Sequence, residues 1–288
     1  MTKVSAKTAA MEGDPVDALM RSIRIPPRPS LLVDLQRELA ETDPSPRRIA
    51  KIIGNDVGMS GALLKLANSP FYGAARKAKS VEQALNFLGV NQCSALITGL
   101  LARQAIDGEG PALNNFWDLS AKRARALVFT SRKLRIAPPD IAHTFGLFCD
   151  IGVPLLMNRF PDYSDTFDAA STDASQCFTA IEDARHNTNH AAIGCLLARN
   201  WGLSSDVSWA ILLHHDYRVL EDPATDEAVR SLVALSLLAE KGIQRYHGNS
   251  NSIEWDKGGE LACRHLDLGP EETADLLDEL HEMFDTDH

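Results

Sequence analysis

Apolar residues recur at three- and four-residue intervals along most of this chain, and no stretch keeps the two-residue alternation of a half-buried strand. Ser30 is the expected cap of a first helix carrying Leu31, Leu32, Leu35 and Leu39. Pro44-Ser45-Pro46 ends it, and Ile49, Ile52 and Ile53 mark a short second helix. Asp56 caps a third, with Met59, Leu63, Leu64 and Ala67 on one face, and Ala67 to Gly73 reads as a turn. Ser80 and Gln83 have capping-box spacing at the start of a fourth helix bearing Leu85, Phe87 and Leu88. Gly89 separates it from a fifth, with Cys93, Leu96, Ile97, Leu100 and Leu101.

Asp107-Gly-Glu-Gly-Pro111 is the clearest internal punctuation. It divides the chain into a disordered N-terminal segment (1–23), an N-terminal helical bundle (24–107) and a second helical subdomain (108–288). The stretch Met1 to Pro15 lacks the apolar run of a signal sequence, and Arg24 to Pro29 is a stiff, extended entry. A long helix is expected from about Leu113 to Arg135; its apolar members Leu119, Ala124, Leu127 and Val128 need a partner surface, so the two parts should be in firm contact. Further helices are read over Phe178–Arg185, Ala191–Trp201, Val207–His215 (behind Ser204, Ser205 and Asp206) and Val229–Glu240. Leu261–Leu266 is short, and Glu271–Phe284 is acidic outside and apolar at Leu276, Leu277, Leu280 and Phe284. The fold class is all-α.

Charge is distributed unevenly over the 288 residues, whose net charge is −10. Residues 21–80 carry 11 basic against 5 acidic side chains, whereas residues 160–288 carry 25 acidic against 8 basic. The acidic half argues against nucleic-acid binding, which needs positive surface. The strongest anion-binding feature is the basic helix with Lys122, Arg123, Arg125, Arg132, Lys133 and Arg135. It could face nucleic acid, a cyclic dinucleotide or an acidic partner, and a solvated face is the plainer alternative. Gly108-Glu-Gly110 is too short for a phosphate loop and lacks the following Lys-Ser/Thr. The five cysteines (Cys93, Cys149, Cys177, Cys195, Cys263) never pair as CxxC and sit mostly in apolar helical patterns, which suits reduced thiols and a cytoplasmic location. No uncharged apolar run approaches membrane-spanning length, so no membrane association is expected.

Ala142 to Met157 is almost wholly apolar, yet carries Asp150 in its middle. An ionised carboxylate there costs several kcal/mol, roughly, unless it is hydrogen-bonded, paired or metal-bound. Gly152 permits close helix approach or a break, and Pro154 suits the first turn of a new helix. Asp150 therefore belongs at a helix junction, as a cap accepting helix-end N–H groups or as part of a metal site. Cys149 as a nucleophile finds no oxyanion motif or GxSxG-like elbow beside it.

Pro26-Pro27, Leu35, Asp56 to Gly73 and Ser80 to Gly89 resemble the N-terminal part of the HDOD family, the HD-related output domain. Phe116-Trp117, Asp150-Ile-Gly152, His190 to Gly194, Trp201-Gly-Leu203 and Leu213-His-His215 resemble its C-terminal part, and the likeness spans roughly residues 24–240. The resemblance implies a small helical bundle followed by a helical HD-like subdomain. It also implies a bacterial regulatory module, of a kind often fused to receiver domains or cyclic-dinucleotide enzymes. No such segment is recognisable in this chain, so a signal would arrive through a partner or a ligand.

The related HD and HD-GYP phosphohydrolases bind divalent metal through histidines and aspartates from several helices. By that resemblance Leu119 stands where a ligand histidine is expected, and the His-Asp doublet reads Cys149-Asp150. Ser236 is the nearest match to the final aspartate. Asp150, His190, His214 and His215 remain as metal or ligand candidates, enough in principle for one Zn²⁺, Fe²⁺ or Mn²⁺. The loss of two ligands predicts a non-catalytic signal-transduction module without a cofactor, acting through contacts with a protein partner. His190 and His214 would then be packing histidines, and His215 would face solvent beside Tyr217. The alternatives are a metal- or ligand-sensing module that keeps a partial site, and a weak metal-dependent phosphohydrolase.

Overall fold

A computed structural model describes residues 23–72, 77–106, 111–249 and 252–286. Among these residues the fold is all-α, with no strand. The first five helices are α1 (Ser30–Leu39), α2 (Pro46–Gly54), α3 (Val57–Ala67), α4 (Val81–Leu88) and α5 (Val90–Ala105). Then come α6 (Pro111–Leu134), α7 (Pro139–Phe148), α8 (Gly152–Arg159), α9 (Tyr163–Thr172) and α10 (Phe178–His186). The last five are α11 (His190–Asn200), α12 (Ser205–Leu213), α13 (Glu227–Tyr246), α14 (Ile253–His265) and α15 (Pro270–Asp285).

Helix starts follow the polar residues that precede them. The side chains of Ser45, Asp56, Ser80, Asn189, Ser204 and Ser252 each accept a backbone N–H three residues on, satisfying a donor the helix leaves unpaired. Ser30 departs from expectation: it is the first residue of α1, and the cap position is Pro29, with no side-chain bond. Gln83 accepts from the Lys79 N–H at 2.7 Å, one residue before the N–H that a capping box would use. The helix α9 was not legible in the sequence. Its buried positions are Tyr163, Thr166 and Ala170, one of them polar and one small, so the apolar period is faint.

One apolar cluster draws residues from Ile23 to Phe284, and Ala170, Phe178 and Ile181 form a smaller second one. The expected firm contact is made partly by polar anchors: Trp201 Nε1 donates to the Pro26 carbonyl at 3.0 Å, and Gln36 Nε2 donates to the Trp201 carbonyl at 3.1 Å. Residues 1–22 of the expected disordered segment, the turn residue Gly73, the boundary at Asp107–Gly110 and the Gly108-Glu-Gly110 loop lie outside the described residues, whereas Ile23, expected to be disordered, is buried in the core. Leu276, Leu280 and Phe284 of α15 are at most 2% exposed, so its apolar face is buried as its pattern predicts.

One stretch has the composition of a membrane span but is part of the core, in keeping with the expectation. Pro139–Arg159 has the length and mean hydropathy (1.3) of a membrane span. It is nevertheless two helices, α7 and α8, broken at Cys149-Asp150-Ile151, and 67% of its most apolar 18-residue window is buried within the fold. Its hydropathy serves the protein core.

Candidate metal centre

Two close backbone approaches bring the polar groups together. A Cβ on Gly152 would stand 2.1 Å from the His190 carbonyl oxygen, so only glycine lets the start of α8 lie against the start of α11. A Cβ on Gly146 would stand 2.6 Å from the Ala124 Cα, so α7 crosses α6 beside Arg123. The first contact sets Asp150 beside His190, and the second sets it beside Arg123. Gly152→Ala should therefore separate α8 from α11 and cost at least the roughly 1–3 kcal/mol of an overpacked core. Chemical denaturation would check this, and an unchanged midpoint would show that the approach is not needed.

Asp150 lies between α7 and α8, and its carboxylate turns toward a cavity of about 370 Å³. Arg123 Nη2 meets its Oδ2 at 2.7 Å, while His214 Nε2 and His190 Nε2 stand 3.2 and 3.6 Å from its Oδ1. In place of the expected helix-end N–H groups, the carboxylate is met by Arg123 of α6 and by the rings of His190 and His214. Burial alone would raise the Asp150 carboxyl, but Arg123, then His214 and His190, outweigh it and hold it well below the ordinary carboxylate range.

His215 is placed differently from the expectation of a solvent-facing ring. It is only 12% exposed, its ring centroid lies 4.1 Å from that of His214, and it stacks on Phe178 at 4.8 Å. The helix ends at Leu213, so two consecutive histidines can face one cavity where a continuing helix would splay them. One donor atom from each of Asp150, His190, His214 and His215 lies within 4.8 Å of the others.

The decisive detail is the far nitrogen of each ring. His190 Nδ1 donates to Glu182 Oε2 at 2.7 Å, His214 Nδ1 to the Ile211 carbonyl at 2.7 Å, and His215 Nδ1 to Glu254 Oε2 at 2.8 Å. Each acceptor places the proton on Nδ1 and leaves Nε2 to accept, as when a histidine's outer nitrogen is held while the inner one binds metal. His190 Nε2 and His214 Nε2 consequently face each other at 3.1 Å. Two lone pairs at that distance repel unless a cation lies between them. A proton can serve: burial would lower His214, but Cys149 and Asp150 beside its ring raise it to about 9. A divalent ion serves as well, and it would also engage Asp150 and His215.

This geometry overturns the expectation that two missing ligands disable the site and rule out an enzyme. The four remaining candidates form a converged ligand set, and the centre is not clearly degenerate. Leu119 lines the cavity, but Arg123, one turn further along α6, supplies a cation at Asp150. Cys149 is buried beside His214, and Ser236 lines the cavity with its hydroxyl donated to the Val233 carbonyl.

The basic residues are engaged in different ways. Arg123 belongs to the centre and also reaches Glu240 Oε2 at 3.2 Å. Lys122 lies over the Tyr246 ring, Lys133 pairs with Glu279, and Arg132 and Arg135 are exposed. The five cysteines are all free thiols, as expected.

Sequence reasoning missed Glu182, Tyr163, Glu254, Tyr217, Lys257 and Glu240. Glu182 is fully buried, accepting from the Tyr163 hydroxyl and from the His190 N–H and ring. A lone acid beside Phe178 and Ile181 on the apolar face of α10 was a usable signal for it. Glu254 has none, since an acid in the first turn of a capped helix is ordinary.

The HDOD domain family matches residues 25–217. An uncharacterized protein of Treponema pallidum (strain Nichols) is 23% identical over 248 residues, covering 85% of this chain and 46% of its own length. The chain thus spans about half the length of that curated relative. Among solved structures, a candidate phosphohydrolase from Shewanella amazonensis SB2B superposes with a TM-score of 0.69 at 21% identity, covering 93% of this chain and 94% of that one. An HDOD domain protein of unknown function from Geobacter sulfurreducens gives a TM-score of 0.69 at 19% identity, with coverage of 94% and 97%. At such identities the likeness is one of fold. The matched region takes in the N-terminal part, the second part as far as Tyr217 and all four converging ligand candidates, and the chain belongs to the HDOD family.

Proposed function

We propose that this chain is a regulatory module of the HDOD type that binds one divalent transition-metal ion and offers it to a small ligand in the adjoining cavity. Asp150, His190, His214 and His215 would hold the ion. The observation that carries the reading is that the Nδ1 of each of the three histidines meets a carboxylate or carbonyl oxygen, while one ligand atom from each ring and from Asp150 lies within 4.8 Å of the others. Three imidazoles and one carboxylate suit Zn²⁺, Fe²⁺ or Mn²⁺. A single ion is favoured because Arg123 already occupies Asp150 Oδ2, where a second cation would bridge. The bound state would be reported to a protein partner of a signalling pathway.

Metal analysis of desalted protein tests this. About one equivalent of transition metal per chain is expected, lost in both His190→Ala and His214→Ala. Wild-type protein that takes up none, or variants that keep it, would end the proposal.

A second reading is hydrolysis of a phosphoester at the same centre. It is favoured by the cavity, into which Asp150, Arg123 and the three histidines all open. When bound, the ion would supply Lewis acidity to a ligand oxygen. Arg123 would stabilise negative charge on that ligand, and Phe116, Leu119, Phe167 and Phe178 would limit water. Turnover of a phosphomonoester or cyclic dinucleotide by metal-loaded protein, abolished in Asp150→Ala, would move this reading to first place.

A further inference from the structure

His215 is the least expected member of the ligand set, because it follows His214 directly in the chain. Its orientation depends on α14, which lies beyond the family-matched residues. Glu254, in the first turn of α14, accepts from His215 Nδ1 at 2.8 Å and from the Tyr217 hydroxyl. Lys257 Nζ holds the other carboxylate oxygen at 2.8 Å and reaches across to the Gln176 carbonyl at 2.7 Å. The chain also makes room for this cluster: a Cβ on Gly258 would stand 2.5 Å from the Tyr217 ring, so glycine lets that ring lie flat on α14. The opposite face of His215 is closed by Phe178, with the rings 16° from parallel.

Resting on the metal-binding reading above, we propose that Glu254 is a positioning residue that makes His215 the fourth protein ligand. The C-terminal helices thereby become part of the centre. With Glu254 in place, His215 presents its Nε2 lone pair to the cavity. Without it, the ring is free to rotate about its side-chain bonds and the centre falls to Asp150, His190 and His214. A three-ligand centre binds more weakly and leaves one more position open. Displacement of α14 would then change metal affinity and ligand access together, coupling the C-terminal surface to the site.

The test uses full-length protein titrated with Co²⁺, whose visible absorption reports coordination number. Glu254→Ala should weaken Co²⁺ binding by roughly 10–100-fold and change the absorption spectrum. His215→Ala should do the same, and the double variant should lose no more than either single one. Glu254→Gln should retain most of the affinity, because the Lys257 ammonium that would meet the new NH₂ can turn away while keeping the Gln176 carbonyl. Two donors, His215 Nδ1 and the Tyr217 hydroxyl, fix its amide oxygen toward the histidine. A merely structural Glu254 predicts the reverse: Co²⁺ affinity and spectrum unchanged in Glu254→Ala, or losses that add in the double variant, and either result overturns the proposal. Should Glu254→Ala fail to fold, Glu254→Met keeps the volume and answers the same question. If His190→Ala and His214→Ala also leave Co²⁺ binding intact, the metal reading itself has failed. If they abolish it while the Glu254 and His215 variants do not, this inference alone has failed.

Discussion

Glu182→Gln is expected to leave the fold standing while lowering divalent-metal affinity about 10–100-fold. The reasoning runs through one proton. Glu182 Oε1 accepts from the His190 N–H at 3.3 Å and from the Tyr163 hydroxyl, so a glutamine must place its carbonyl oxygen there. Its NH₂ then faces His190 Nδ1, where Oε2 stands at 2.7 Å in the native protein. A donor now meets what was a donor. The ring must accept on Nδ1 and carry its proton on Nε2, in the space between Asp150 and His214. That proton competes with the metal for the same lone pair. Glu182→Ala is a different experiment: it strands three buried donors around a fully buried site and should cost about 3–5 kcal/mol of stability. Isothermal titration with Zn²⁺ beside a thermal melt separates the two effects. Glutamine protein that binds Zn²⁺ as tightly as native protein would remove the tautomer argument, and with it the main support for a metal centre.

What the sequence made legible divides by the kind of physics involved. Helix boundaries set by local polar caps were readable: Asp56, Ser80 and Ser204 each begin a helix as their side chains require. So was the face of α15, because Leu276, Leu280 and Phe284 recur at helical spacing. The helix α9 was hidden because Tyr163 and Thr166 are buried through the bonds they make, one to Glu182 and one to His186, and not through an apolar pattern.

The candidate site was legible in its members and illegible in its state. Asp150, His190, His214 and His215 stood out as polar residues in apolar surroundings. Their competence depends on Glu182 and Glu254, which lie 8 and 39 residues from the histidines they hold. No local pattern links such pairs. Judged from Leu119 and Cys149 alone, the centre looked disabled. Arg123, one turn from Leu119, was placed on a solvated or anion-binding face, although it lies 2.7 Å from Asp150. A helix known only by its charges does not disclose which of them turns inward.

With chelator present, folding stability is expected to peak near pH 6.5 and to fall on both sides. On the alkaline side His214 governs. Its folded value of about 9 lies above the ordinary 6.5, so its contribution is full below pH 6.5 and is lost as pH rises through 9. That loss is on the order of 3 kcal/mol across the interval, and His190, shifted the same way by Glu182 and Asp150 against its burial, adds to it. On the acid side His143 and His215 govern. Burial pushes both down to about 4, with His214 adding to the effect on His215. Between pH 6.5 and 4 the unfolded chain takes up protons that these folded rings refuse, so stability falls as pH falls. Asp150, Glu182 and Glu254 are all held below their ordinary values, so their contributions are fully present above about pH 4.5 and begin to be lost only at the acid end of this window. Saturating Zn²⁺ should erase the alkaline limb, because the ion replaces the proton between His190 and His214 and binds more tightly as that proton leaves. Urea unfolding at half-unit pH steps, with EDTA and with Zn²⁺, reads both curves. An alkaline limb that is the same with and without Zn²⁺ would mean that the proton and the metal do not share a site.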